Sequence, residues 1–118
     1  MSLNREAFLR PAEVPVELVE IPELGGSIKV RGMTARQRSE FEKQFQTASG
    51  KQSKTRIAEV RERLVVACCV NDDGSLMFSE EDISAIGNQA AGVVERIVNV
   101  AQRLCGMSNT DVEELAKN

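Results

Sequence analysis

The segment from Gln89 to Leu104 constrains the fold more than any other part of the chain. Val93, Ile97, Val100 and Leu104 recur at helical spacing, and Val94, Val98, Ala101 and Cys105 form a second row beside them. Two adjacent rows make an apolar face too wide to leave in water, so a core helix is predicted over 89–105. Gly106 stands where a left-handed C-terminal cap belongs. A second core helix is predicted over 55–70. Ile57, Val60, Leu64 and Ala67 or Cys68 set its stripe, and Val65, Val66, Cys69 and Val70 widen it until its second half is apolar almost all round.

Shorter helices surround these two. Thr34-Ala35-Arg36-Gln37 is a capping-box pattern that opens a helix over 34–47. Its apolar positions are only Phe41 and Phe45, a narrow stripe that predicts a surface helix. Ser79 followed by Glu80, Glu81 and Asp82 caps a helix over 79–86, with its acids where they complement the dipole. Ser108-Asn109-Thr110-Asp111 opens an acidic helix over 109–116. Residues 5–9 read as one turn after Asn4, ended by Pro11. The stretch 47–54 reads as loop.

Ahead of the core helices lies a hairpin, predicted over 13–33. Val14, Val16 and Leu18 alternate with polar or edge-tolerant residues and give one apolar face; Ser27-Ile28-Lys29-Val30-Arg31 alternates in the same way. Gly25-Gly26 allows the positive φ that the turn needs. Two strands alone are marginal, so the hairpin must lie on the helices. The fold class is α+β: a mainly α-helical single domain, 1–118, with an N-terminal β-hairpin. At 42% hydrophobic and 28% charged residues, the chain has the composition of a globular domain able to hold one core.

Composition also bounds the chemistry. There is no histidine, tryptophan or tyrosine. Histidine is the commonest general base and metal ligand, so Ser-His and Cys-His catalysis and most zinc sites are removed. The expectation is a binding protein with no catalytic site, no cofactor and no metal. Cys68, Cys69 and Cys105 are an odd set without framework spacing, which reads as reduced, buried thiols. Asn71, Asp73, Gly74, Leu76 and Glu80 mimic a calcium-binding loop, but Cys69 occupies the first ligand position and brings no hard oxygen. That stretch reads as a turn followed by a capped helix. Gly25-Gly26, Gly32 and Gly50-Lys51 lack the spacing of a phosphate loop and read as turns. No run approaches 18 apolar residues, and the first ten residues place charges where a signal peptide needs an apolar stretch. Both point to the cytosol.

Charge is segregated. Residues 29–63 hold ten Lys/Arg against four acids, residues 64–118 three against nine, and residues 1–28 carry −3, within a total of −3. The basic stretch reads first as a solvated helix face, then as a contact for an acidic protein, and last as a nucleic-acid surface. A sequence pI near 5.1 and the lack of aromatics interleaved for base stacking count against nucleic acid.

Three segments in order resemble the tail assembly chaperones of long-tailed, lambda-like bacteriophages. They are the strand pair from Val16 to Thr34; the run Val60-Arg61-Glu62-Arg63-Leu64-Val65 leading into Asn71-Asp72-Asp73-Gly74-Ser75-Leu76-Met77-Phe78-Ser79-Glu80-Glu81-Asp82; and the Val94-Glu95-Arg96-Ile97 helix ending in Asp111-Val112-Glu113-Glu114-Leu115-Ala116-Lys117-Asn118. The resemblance covers nearly the whole chain and rests on order and spacing. It departs near Leu24, where the family often carries an aromatic.

The resemblance implies a chaperone in the cytoplasm of a bacterial host, encoded by a phage or prophage. It would bind the long helical tape measure protein, keep it soluble during tail assembly and be absent from the finished virion. A longer product of programmed frameshifting would recruit the tail tube protein. Ala116-Lys117-Asn118 can be encoded GCA-AAA-AAC, whose A-AAA-AAC heptamer suits a −1 slip. On this reading Arg36, Phe41, Phe45, Arg56, Arg61 and Arg63, on the 34–47 helix and the basic stretch after it, are the candidate partner-binding residues. The charge segregation could support self-association. Reversing Arg56, Arg61 and Arg63 to Glu is expected to weaken client binding without harming the fold. The rival readings are a structural tail or head–tail connector subunit, and a small nucleic-acid-binding regulator.

Overall fold

The hairpin's turn forms because Pro22 opens a 3-10 turn, Pro22–Leu24, which Gly25 closes at φ 76°. Strand β1 (Val16–Ile21) and strand β2 (Gly26–Arg31) pair antiparallel across it, with Val19 opposite Ile28 and Glu17 opposite Val30. The computed structural model describes residues 1–11, 13–47, 49–51 and 53–116, without the side chains of residues 109, 110 and 116. Both Lys117 and Asn118, which carry the proposed slip site, lie outside the described residues.

The inward face of β1 is the opposite of the one predicted. Val19 and Ile21 are buried, while Val16 and Leu18 face solvent. Strand β2 decides this. Its buried Val30 and half-buried Ile28 face the helices, and register carries that choice across to β1, where a shift of one residue reverses every side chain. A third strand, β3 (Cys69–Val70), pairs antiparallel with β2 at Lys29 and Val30, giving the sheet order β1-β2-β3. Sequence periodicity places Cys69 and Val70 at the end of a helix over 55–70. Instead the chain there forms α3 (Lys54–Ala58), breaks at Glu59, and resumes as α4 (Val60–Cys68) before turning extended. Both residues are apolar on every reading, so burial alone did not distinguish helix from strand.

The remaining elements are α1 (Arg5–Leu9), α2 (Ala35–Lys43), α5 (Ile83–Gly87) behind a 3-10 turn Glu80–Asp82, α6 (Ala91–Leu104) and α7 (Asn109–Ala116). Thr34 and Gln37 form the reciprocal capping box at the start of α2: the Gln37 N–H donates to Thr34 Oγ1 at 3.2 Å and the Thr34 N–H to Gln37 Oε1 at 3.0 Å. At the end of α6, Gly106 takes φ 72°, and the N–H of Met107 donates to the Gln102 carbonyl at 2.8 Å. This is the left-handed closure that glycine permits without strain.

The molecule is α+β in a single domain, 53% helical, with its antiparallel sheet near the N-terminus. Helices α4 and α6 pack together at its centre and the sheet lies over α6. Leu64, Val98, Ala101, Cys68 and Cys69 are completely buried. Gly32 lets β2 run close against α6: a Cβ there would stand 2.5 Å from the Leu104 carbonyl oxygen. Among the described residues, no helix is long and apolar enough to cross a membrane.

Candidate functional site

Between the hairpin tip, α5 and the first half of α6 the core is left open as an apolar groove of about 470 Å³. Its floor is Val65 of α4 and Val93, Val94 and Ile97 of α6. One lip is the hairpin tip, with Ile21, Leu24 and Ile28; the other is Met77 and Phe78 with the start of α5. Leu24 is 63% exposed and Met77 39% exposed, so these lips meet water. Among the lining residues one is charged, Asp82.

The sequence shapes each lip for a local reason. After β3, Asn71-Asp72-Asp73-Gly74-Ser75 makes a tight turn, in which the Asn71 N–H donates to the Ser75 carbonyl at 2.8 Å and the Ser75 N–H to Asp73 Oδ1 at 2.9 Å. The Ser75 hydroxyl, which donates to Asp73 Oδ1 at 2.6 Å, and the Ser75 N–H together hold the Asp73 carboxyl below its usual range. The turn returns the chain alongside β3, where Leu76 bridges Val70 and the Met77 N–H donates to the Cys69 carbonyl at 3.0 Å. Met77 and Phe78 are thereby delivered to the groove edge. The calcium-like spacing is absorbed by this turn, and Glu80 points instead to Arg63 at 3.2 Å.

The hairpin lip is clamped by Arg96 of α6. Its Nη1 and Nη2 donate to Glu23 Oε1 and Oε2 at 2.9 and 2.7 Å, and Nη1 also reaches the Glu20 carbonyl at 3.3 Å. This forked pairing fixes both distance and plane. The Arg96 guanidinium holds the Glu23 carboxyl down to about 2. Leu24 is the next residue, so the clamp sets where the groove's most exposed apolar side chain stands.

The residues predicted to bind a partner lie elsewhere. Phe41 and Phe45 are 4% and 3% exposed and meet edge to face, ring centroids 5.2 Å apart. They belong to the core, so α2 offers no aromatic stripe to a partner; Phe45 also reaches a second, smaller cavity of about 290 Å³ beside α7. Arg63 is nine-tenths buried and donates to Gln44 Oε1 (3.1 Å), Glu80 (3.2 Å) and Glu59 (3.0 Å). It ties α4 to the end of α2 and to the turn before α5. Reversing it would set a glutamate against two glutamates, so the expectation that its reversal spares the fold does not stand. Arg61 pairs with Glu95 at 3.2 Å, and Arg56 donates to the Gln44 carbonyl at 3.2 Å. Arg36 is exposed on α2. The segregated charges along the chain are thus largely spent on internal ties.

The three cysteines are free and buried. The Sγ atoms of Cys68 and Cys105 lie 3.7 Å apart. Their hydrogen bond and burial push the Cys68 thiol up, and burial pushes the Cys69 thiol up to about 12. Both stay protonated and pack as small apolar groups.

Periodicity passed over Leu24, Met77, Phe78 and Arg96. A signal was present for two regions: Leu24 is an apolar residue set in a Pro-Glu-Leu-Gly-Gly turn, and Leu76-Met77-Phe78 is an apolar run directly after a turn. Phe78 packs in part against the core, whereas Leu24 and Met77 are exposed. The chain matches no protein family, no characterised protein and no solved structure with which it was compared.

Proposed function

We propose that this chain is a polypeptide-binding assembly chaperone of the phage tail type: it holds the tape measure protein soluble in the cytoplasm of the bacterial host and leaves before the virion is complete. The observation that carries the reading is the open apolar groove with exposed Leu24 and Met77 at its lips. A solvent-facing apolar cleft of this size suits transient cover of apolar surface on another chain. The order of its segments, which resembles that of tail assembly chaperones, supplies the identity of the client. A longer, frameshifted form that recruits the tail tube protein belongs to the same proposal.

Co-expression with the tape measure protein encoded nearby tests it. The client should be soluble with this chain and precipitate without it. Mass spectrometry of purified particles should find the tape measure protein and not this chain. Stoichiometric retention in particles would make it a structural tail or connector subunit instead, and an unchanged soluble fraction of client would end the chaperone reading. The gene neighbourhood offers a second check, with a tail tube gene upstream and a very long tape measure gene downstream expected.

A further inference from the structure

Resting on the reading that this protein grips another polypeptide, we infer that the groove accepts one helix of a client, apolar on the face it inserts and basic on the flank that meets the start of α5. Val65 of α4 and Val93, Val94 and Ile97 of α6 close the floor, and the cleft above them, open between apolar lips, suits the row of side chains on one face of a helix. An added strand would find only Gly26 to Ile28 of β2 along the groove, since β3 already pairs with Lys29 and Val30. That is short of the ~5–6 residues of an ordinary strand. Met77 has an unbranched, adaptable side chain, and the Leu24 side chain is largely exposed on its clamped turn, so the side chains at the lips can fit apolar stripes that differ in detail.

Charge selects among such helices. Asp82 lines the groove and Glu81 precedes it; neither has a cationic partner among the described residues. Glu62 lies against Gly87 at the far end of α5. At the opposite lip, Arg96 is occupied by Glu23 through both of its terminal nitrogens. Asp82 accepts from the Ser79 N–H at 2.8 Å, which leaves its charge without a counter-ion, so among the described residues the rim presents uncompensated negative charge and no uncommitted positive charge, which attracts a basic flank and repels an acidic one.

Two synthetic helical peptides test this, each about 18 residues long with one identical leucine stripe, the polar face all lysine in one and all glutamate in the other. Titrated into the full-length protein at low salt, the lysine peptide should bind at least tenfold more tightly. Its amide shifts should map to Leu24, Met77, Phe78 and Ala85, and the preference should shrink as salt screens it. Glu81→Lys should cut the preference severalfold. Leu24→Glu and Met77→Glu should abolish binding of both peptides while the melting curve stays unchanged. Equal affinity for both peptides overturns the charge rule. Shifts on the outer face at Val16 and Leu18, or shifts that follow protein concentration without peptide, overturn the groove as a client site; the latter would mean that a second copy covers it. Peptide docking at the groove by a protein that fails to solubilise the tape measure protein would sink the chaperone role and leave this inference intact.

Discussion

Two apolar regions share helix α6 and end differently. On one side, Val98 and Ala101 share the core with Leu64 and Cys68 of the packed helix α4, and all four are completely buried. On the other, Val93, Val94 and Ile97 form the floor of a groove whose lips stand in water. The residue types are the same. What differs is what lies over them: beside Val93, Val94 and Ile97 the hairpin tip and the Met77-Phe78 segment leave a groove, whose lip residues Leu24 and Met77 stay exposed. Burial stabilises both sets, since Val93, Val94 and Ile97 are also at most 8% exposed; the apolar surface left for another chain lies at the groove's lips, Leu24 and Met77.

Substitutions should separate the two. The largest effect is expected at Leu64→Ala, which leaves a cavity at the closed centre and should cost about 2–5 kcal/mol, read as a lower midpoint in urea unfolding. Arg63→Glu comes next, at roughly 3 kcal/mol, because a nine-tenths-buried tie becomes a cluster of three carboxylates. Arg63→Met should lose clearly less by the same measurement, since it keeps the packing and removes the repulsion.

Acid should reach the groove before it reaches the core. The Glu23 carboxyl sits near 2 in the folded protein against an ordinary value of 4.5, so its pairing with Arg96 is fully present above about 4.5 and is lost as pH falls toward 2. The melting temperature of the natural protein should decline over that window, and that of Glu23→Gln should start lower and decline less. A parallel decline in both would show that the clamp contributes nothing. Smallest of all is Leu24→Glu, expected to change stability by less than about 0.5 kcal/mol because the side chain is already mostly in water. A large loss there would mean that the lip belongs to the core and is no open surface.

The hairpin teaches a related lesson about legibility. Alternation in β2 was unambiguous, Ile28 and Val30 against Lys29 and Arg31, and its buried face followed. Strand β1 holds apolar residues at Val14, Val16 and Leu18 but also at Val19 and Ile21, so its own pattern allowed either face. Pairing with β2 made the choice. Cys69 and Val70 were equally ambiguous between helix and strand until β2 supplied an edge to pair with. At the candidate site, the helical floor was legible as the α6 stripe, but Leu24, Met77 and Arg96 were not. Arg96 and the hairpin tip carrying Leu24 meet through Glu23, 73 positions from Arg96, and Met77 reaches the groove only because the turn pairs it back onto Cys69.

The sequence alone determined the helical centre, the capping at Thr34 and Gly106, the hairpin and its turn, because each depends on interactions within a few residues. Tertiary structure decided which face of β1 is buried, which arginines are internal ties, and that the core stops short of closing near the hairpin tip. Those outcomes depend on contacts between elements distant in sequence, and local periodicity carries no information about which distant element will arrive to cover a given face.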